Sequence, residues 1–282
     1  MDQTEPRYPP EPHGRVRRSR EWLAVLPLVA IVAWVLWSVA ASGTGEPEPK
    51  DYQVRAEVAP PAPEIPLANN TDLAVGGPVD TPPSGEAEAV TGIAAAGIAA
   101  ATDPAWIEAT AASAGIPARM LAAYTGAAAA LRDEQPGCHL GWTTLAGIGL
   151  VESGHATLGG TTALPDGTTS QPILGPQLDG SSFEQITDTD NGRWDGDESW
   201  DRAVGPMQFI PSTWETWGAD GNADGIADPN QVDDAVLTTA RYLCHSGDLS
   251  TGAGWQAAVY SYNHSDSYVA KVLAAATSFA DS

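Results

Sequence analysis

Twenty consecutive residues, Trp22 to Ala41, carry no charged side chain, and this run restricts the topology of the chain more than any other feature. At about 1.5 Å per helical residue, the run is long enough to cross a hydrocarbon layer of about 30 Å. It is therefore predicted to be a transmembrane helix. Basic residues precede it at Arg15, Arg17, Arg18 and Arg20, and no Lys or Arg follows until Lys50. This bias predicts a cytoplasmic N-terminus and an extracytoplasmic remainder, anchored by one pass through the cytoplasmic membrane.

A cleaved secretory signal is the alternative interpretation, because Val39, Ala40 and Ala41 offer small residues at a plausible cleavage point. The apolar run is long for a signal, so an anchor is preferred. A buried core helix fits less well, because both flanks are proline-rich and polar.

The segment after the run cannot bury a core, because from Ser42 to about Val90 it consists mainly of Pro, Ala, Glu and Gly. Some 50 such residues would span about 40 Å as a coil and about 150 Å as polyproline II. The predicted organisation is a basic N-terminus (1–21), a membrane span (22–41), a disordered linker (42–103) and a folded domain (104–282).

The folded domain is predicted to be mainly α-helical, because its breaks are helix signals and no long alternating strand pattern appears. One helix has an apolar face through Trp142, Leu145 and Ile148, and Glu152 falls on that same face before Gly154 ends the helix. Later helices are predicted from Ser212, with a capping box to Glu215, and over 230–244, 255–263 and 267–279.

Acidic residues far outnumber basic ones, with 36 Asp and Glu against 13 Lys and Arg, for a net charge of -23. This balance argues against nucleic acid as a partner and against adhesion of the domain to an anionic membrane. The two cysteines, Cys138 and Cys244, both lie in the exported part, where disulfides persist. They are predicted to be paired.

Three short patterns suggest one kind of chemistry. They are Glu152-Ser153 at the end of an apolar helix, Gly205-Pro206-Met207-Gln208, and Tyr262-Asn263 near the C-terminus. A carboxyl group at the end of an apolar face is desolvated, so it holds its proton more tightly than in water. With amide and phenol partners, such a group can protonate the oxygen that bridges two sugars.

The three patterns in their sequence context resemble the lytic murein transglycosylases of the membrane-bound B type. The resemblance covers roughly 105–276, and its motifs are the stretches 147–155, 203–214 and 260–265. It implies a lysozyme-like fold, a peptidoglycan substrate and a product with a 1,6-anhydro-muramoyl end. Pro206 and Ser261 depart from the wider superfamily, which usually has Leu and Ala there.

The resemblance implies that Glu152 is the sole catalytic acid and base, which cleaves the β-1,4 bond between N-acetylmuramic acid and N-acetylglucosamine. It implies substrate contacts for Gln208 and Asn263, and for Tyr262, which is also expected to hold Glu152. Met207 is expected to pack more than to take part in chemistry. Ser153 either orients Glu152 or satisfies carbonyls at the helix end. Trp214 and Trp217 are sugar platforms or core residues.

A calcium loop is predicted from Asp220 to Ile226, whose alternating oxygen ligands and Gly225 fit the first half of an EF-hand. Position twelve is Gln231, which cannot close the site. The related family has a lengthened loop, and its pattern implies the ligands Asp220, Asn222, Asp224, Ile226 through its carbonyl, and Asp234. The alternative is an Asp/Gly-rich turn that caps the next helix.

A second acidic cluster is interpreted as a solvated loop, since it has no recognisable ligand frame; it contains Asp188, Asp190, Asp195, Asp197, Glu198 and Asp201. His155 and His264 lie beside the motifs but lack the spacing of zinc ligands. The stretch 157–200 is expected to shape the substrate groove.

The sequence therefore favours a membrane-tethered peptidoglycan transglycosylase with no organic cofactor and a structural calcium ion. Two alternatives stay open. One is a muramidase in which water attacks, and the other is a non-catalytic module that binds the cell wall.

Overall fold

The computed structural model describes residues 62–68 and 97–282. The predicted membrane span, the basic N-terminus and most of the linker lie outside the described residues. Within the described residues, no helix combines the length and the apolar character that crossing a membrane requires.

The described part of the chain is mainly helical, as predicted. Its seven α-helices are α1 (Pro104–Ala114), α2 (Ala118–Glu134), α3 (Trp142–Ser153), α4 (Pro211–Trp217), α5 (Val232–Cys244), α6 (Gly252–Tyr262) and α7 (Asp266–Ala280). Short 3-10 turns lie at Ile98–Ala101, Pro136–Cys138 and Leu158–Gly160. Two short strands, β1 (Leu174–Gln177) and β2 (Arg202–Val204), form an antiparallel pair.

Four of these helices begin with a side-chain cap, in which a side chain accepts a hydrogen bond from a backbone amide of the first turn. These amides have no partner inside the helix. The caps are Asp103 for α1, Gln231 for α5, Thr251 for α6 and Ser265 for α7. The predicted capping box at Ser212 is wrong, because α4 begins one residue earlier at Pro211 and has no side-chain cap. A proline at the first helical position fixes φ for the helix and needs no amide partner.

Helix α3 lies at the centre of the domain and is buried on nearly all sides from Trp142 to Gly149. It packs against α2, α5 and α7. The approach of α7 depends on Gly147, since a Cβ there would lie 2.9 Å from the carbonyl oxygen of Val272. This close packing brings the first turn of α7 beside the last turn of α3, where Glu152 lies.

Cys138 and Cys244 form a disulfide, which confirms the predicted pairing. The bond joins the turn before α3 to the last residue of α5, and it closes a loop with a sequence separation of 106. It thus ties the helix that carries Glu152 to a helix from the other end of the domain.

Two parts of the predicted linker, 62–68 and 97–103, bond each other and lie against the folded domain, in which Ile98 is a core residue. The amide of Ala68 donates to the carbonyl oxygen of Ala101 (3.0 Å), and the amide of Asp103 donates to that of Pro66 (2.9 Å). Ala62 and Ile65 pack against the core. This part of the chain therefore enters the domain as an attached strand-like segment.

Candidate active site

Glu152 is buried, with 2 % of its surface exposed. Its Oε1 accepts a hydrogen bond from the Tyr268 hydroxyl at 2.6 Å, donated from the first turn of α7. Burial raises the pKa of Glu152 from 4.5 to about 8, and the hydrogen bond from Tyr268 opposes part of that rise. A carboxyl group in this environment keeps its proton at neutral pH, which is the state that a general acid requires.

Tyr268 was not among the predicted site residues. It is 4 % exposed, and burial followed by the charge of Glu152 raises its pKa well above 10. The phenol therefore stays protonated and serves Glu152 as a donor. The sequence signal that could have found it is a tyrosine on the inner face of an otherwise apolar last helix, one turn after Ser265.

Ser153 joins the first motif to the second. Its hydroxyl donates to the carbonyl oxygen of Pro206 at 2.7 Å and accepts from the amide of Ala156 at 2.8 Å. The hydroxyl thus bonds the end of α3 to the turn at 205–208, the Gly205 turn. The same hydroxyl lies 3.5 Å from the carbonyl oxygen of Gly149, which agrees with the predicted role of satisfying carbonyls at the helix end. Its shorter bond goes to a different segment, and it does not bond the Glu152 carboxyl group.

The second motif is a tight turn after β2. Gly205 has φ of 80°, and a Cβ there would overlap the carbonyl oxygen of Pro229. Gln208 also has a positive φ, 52°, and its Nε2 donates to the carbonyl oxygens of Gly205 (2.8 Å) and Ile173 (3.3 Å). Its Oε1 is buried, and no residue within 62–68 or 97–282 bonds it. A buried acceptor without a donor carries a desolvation cost, which a ligand's N–H or O–H group could remove.

The third motif contacts the second through Tyr262. Its hydroxyl donates to the carbonyl oxygen of Met207 at 2.8 Å and lies 3.2 Å from Thr239 Oγ1. Tyr262 and Met207 are both fully buried, and Asn263 is 7 % exposed. Tyr262 therefore supports the turn from behind, and in this structure its ring does not present a face to a sugar. Tyr268, and not Tyr262, holds Glu152.

Ser153 and Tyr262 thus bond the turn that contains Met207 and Gln208, while Glu152 and Asn263 adjoin them in the chain. The two tryptophans on α4 pack as core residues, since Trp214 is 4 % exposed and Trp217 lies against Tyr242 and His245. Two cavities of about 460 and 290 Å³ are lined by other parts of the domain, and Glu152 lines neither.

The side-chain oxygens of the predicted calcium ligands accept hydrogen bonds from backbone amides in this structure. Asp220, Asn222 and Asp224 accept backbone amides within their own loop. Both oxygens of the fully buried Asp234 accept backbone amides, from Gly221, Asn222 and Asp228. The oxygens of the three carboxylates are not within 4.8 Å of one another. The geometry fits the alternative of a turn at the start of α5, and no step proposed below runs through calcium.

Calcium binding stays a prediction with a direct test. Burial raises the pKa of Asp234 to about 6, so a cation that entered the loop would relieve an unfavourable charge. At calcium 100 times Kd, we expect Tm to rise by about 5 °C or more over chelated buffer, as measured by calorimetry. Asp234→Asn should remove the shift, and Asp188→Asn should keep it. An unchanged Tm on adding calcium would show that the loop is only a turn.

The second acidic cluster is more ordered than a solvated loop. Asp201 is fully buried and accepts the amide and hydroxyl of Thr189 at 2.9 and 2.7 Å. Burial raises the pKa of Asp195 and of Asp201. In the described part of the chain, the oxygens of Asp188, Asp190 and Asp201 lie within 4.8 Å of one another. These carboxylates fold the 188–201 loop by accepting its amides, and this corrects the solvated interpretation.

A comparison with family models matches residues 183–260 to a model described as Transglycosylase SLT domain. No curated protein and no solved structure matched the chain. The matched range contains the Gly205 turn, α4, α5 and most of α6, and this part of the chain is similar to a transglycosylase SLT domain. It begins after Glu152 and ends before Tyr262 and Tyr268, so it covers neither the acid nor its phenol partner.

Proposed function

We propose that this protein is a lytic transglycosylase that cleaves the β-1,4 bond between N-acetylmuramic acid and N-acetylglucosamine in peptidoglycan. The similarity of residues 183–260 to a transglycosylase SLT domain supports the reaction class and the polymer. The observation that carries the finer proposal is the buried Glu152, whose pKa of about 8 keeps it protonated at neutral pH beside Tyr268. We assign the lysozyme-like fold and the B type on the resemblance of its motifs.

In the proposed mechanism, Glu152 donates its proton to the oxygen that bridges the two sugars. The bond from C1 to that oxygen breaks, the leaving sugar departs as an alcohol, and the muramoyl ring carries the positive charge. Glu152, now a carboxylate, takes the proton of the C6 hydroxyl as its oxygen bonds to C1. No water is consumed, and Glu152 ends protonated, ready for another cycle.

The Tyr268 hydroxyl would stabilise the carboxylate between these two steps. A charge-assisted hydrogen bond is stronger than a neutral one, so the bond from Tyr268 strengthens when Glu152 loses its proton. The fixed Tyr268 hydroxyl thus lowers the energy of the ionised Glu152 carboxylate, which burial disfavours.

Gln208 and Asn263 are the proposed polar contacts for the acetamido and hydroxyl groups of the sugars. The partnerless Oε1 of Gln208 supports this role, because it can accept from an acetamido N–H. We propose that Ser153, Met207 and Tyr262 shape the substrate site from behind, through the contacts that hold the Gly205 turn to α3 and α6.

The reaction is proposed to take place outside the cytoplasmic membrane, with the domain held there by the apolar helix at 22–41. The Cys138–Cys244 disulfide supports an oxidising compartment. About twenty residues separate the proposed span from the attached segment at 62–68, and as polyproline II they would reach about 60 Å.

Digestion of purified sacculi by the full chain, followed by mass spectrometry, tests the proposal. We expect muropeptides with 1,6-anhydro ends, lighter by one water than hydrolysis products. Products with free reducing ends would instead identify a muramidase. Binding to sacculi without release of muropeptides would identify a non-catalytic module.

Replacing Tyr268 by phenylalanine should lower kcat by about tenfold, because it removes the donor to the carboxylate. Since the hydrogen bond lowers the pKa of Glu152, its loss should move the alkaline limb of the pH–rate profile to higher pH. Tyr242→Phe is the matched control, since it removes a buried hydroxyl that bonds the carbonyl oxygen of Ser261 instead. If both variants show the wild-type pH profile, Tyr268 has no part in the acid's behaviour.

A further inference from the structure

Three consecutive residues directly after Glu152-Ser153 have left-handed backbone conformations. Their φ values are 59° for Gly154, 59° for His155 and 61° for Ala156. Glycine ends many helices this way, but a residue with a Cβ is sterically disfavoured in this conformation. Such a run persists only where the surrounding structure holds it, and it marks a segment whose geometry matters.

Contacts from both sides hold the run in place. The amide of His155 donates to the carbonyl oxygen of Gly149 at 3.0 Å, and the amide of Ala156 donates to Ser153 Oγ at 2.8 Å. The imidazole of His155 is buried, at 4 % exposure, and lies against the rings of Tyr124 and Phe279. Its Nδ1 lies 3.1 Å from the Tyr124 hydroxyl, within hydrogen-bonding distance.

Tyr124 also contacts the helix one turn before Glu152. It is fully buried on α2, and its hydroxyl fills the space over Gly149, where a Cβ would overlap it. The phenol therefore touches α3 before Glu152 and bonds His155 after it. The last turn of α3 is enclosed between these two contacts.

We propose that His155, held by Tyr124, is a positioning residue that fixes the last turn of α3 and thereby keeps the Glu152 carboxyl group in its buried place against Tyr268. This inference rests on the proposed function of Glu152. Burial lowers the pKa of His155 to about 4, so the ring is neutral at working pH and adds no charge beside the acid. His155 instead contributes by fixing the backbone conformation directly after Glu152.

His155→Ala tests the proposal, with His139→Ala as the matched control. Both histidines have a left-handed backbone, with φ of 59° and 56°, so both changes place alanine in the same strained conformation. His139 precedes α3 at the far end of the helix from Glu152 and is 55 % exposed. We expect kcat to fall about tenfold in His155→Ala with KM unchanged, and neither to change in His139→Ala.

The decisive measurement is the titration of the Glu152 carboxyl group by carbon NMR in the full chain, which does not depend on activity. In His155→Ala the loosened turn admits water to Glu152, so its midpoint should move to lower pH. Tyr124→Phe, which keeps the ring and removes only the hydroxyl, should give a smaller shift in the same direction. The titratable groups that face Glu152 are Tyr262 and Tyr268, whose raised pKa values keep them protonated throughout this range.

His155→Asn should restore most of the wild-type midpoint and kcat, because asparagine tolerates a left-handed backbone and offers a polar atom near Nδ1. A fall in Tm with an unchanged Glu152 midpoint in both His155→Ala and Tyr124→Phe would show a merely structural role and overturn the proposal. If wild-type protein releases no muropeptides, the proposed function fails, yet the shift in the Glu152 midpoint still tests the positioning of its side chain.

Discussion

Replacing Glu152 by glutamine should reduce the release of muropeptides from sacculi by a factor on the order of 10²–10⁴, the usual contribution of a general acid and base. Glutamine has nearly the same shape, and its Oε1 can still accept from Tyr268, so the hydrogen bond at this position is preserved. The variant lacks the proton that Glu152 donates to the bridging oxygen and regains from the C6 hydroxyl. The measurement is the initial rate of anhydro-muropeptide formation by mass spectrometry, compared with wild-type protein on the same sacculi.

The stability of the same variant gives a control with a definite sign. The pKa of Glu152 is raised from 4.5 to about 8 on folding, so the folded state binds its proton more tightly than the unfolded chain does. The stability from this group is fully present below pH 4.5 and is lost as the pH rises from 4.5 to about 8. Glutamine stays neutral throughout. The Tm of Glu152→Gln relative to that of wild-type protein should therefore rise as the pH rises from 4 to 8.

These two measurements separate loss of chemistry from loss of fold. A variant that is inactive and also more stable than wild type at pH 8 cannot owe its inactivity to unfolding. Undiminished release by Glu152→Gln would remove the enzymatic interpretation of this residue. In that case another group of the domain would have to supply the acid.

The contacts that bring the three motifs together explain why the sequence could indicate the site. Glu152 falls on an apolar helical face at regular spacing, and the Gly205 turn needs a glycine for its positive φ. Both requirements are local, so they are readable from neighbouring residues. The burial of Glu152 and its raised pKa follow from its position on the apolar helical face.

Tyr268 was not predictable on the same terms, because its role depends on how closely α7 approaches α3. That distance is set by Gly147 against Val272, a packing contact between residues far apart in sequence. The left-handed run at His155 was missed for a similar reason. A histidine after Gly154 carries no local signal for positive φ, and the contact with Tyr124 that accompanies it comes from another helix.

In the acidic loops, one local sequence pattern is compatible with two structures, a cation site and a loop whose carboxylates accept its own amides. The spacing of Asp220, Asn222 and Asp224 suits a cation, yet the same oxygens can accept the loop's own amides, as they do here. Asp201 shows that an acidic stretch can also be buried when its oxygens find amide and hydroxyl donors. Composition alone does not distinguish an ion ligand from an internal acceptor, because both need the same lone pairs.

Removing the disulfide through the double variant Cys138→Ser and Cys244→Ser should lower the stability of the domain by up to about 4–5 kcal/mol, since the bond closes a loop of about 100 residues. For a domain of this size, that corresponds to a fall in Tm of about 8 to 20 °C. The bond joins the turn before α3 to the end of α5, and α5 carries Thr239, which lies beside the Tyr262 hydroxyl.

Calorimetry with and without reductant checks this expectation. Wild-type protein should lose Tm when its disulfide is reduced, and the double serine variant should show the lower Tm under both conditions. Below its own Tm the variant should keep its activity on sacculi, because the cysteines contact no residue of the candidate site. A double variant that melts within 2 °C of the wild type would show that packing alone holds α3 and α5 together, and the closed loop would then contribute little to the fold.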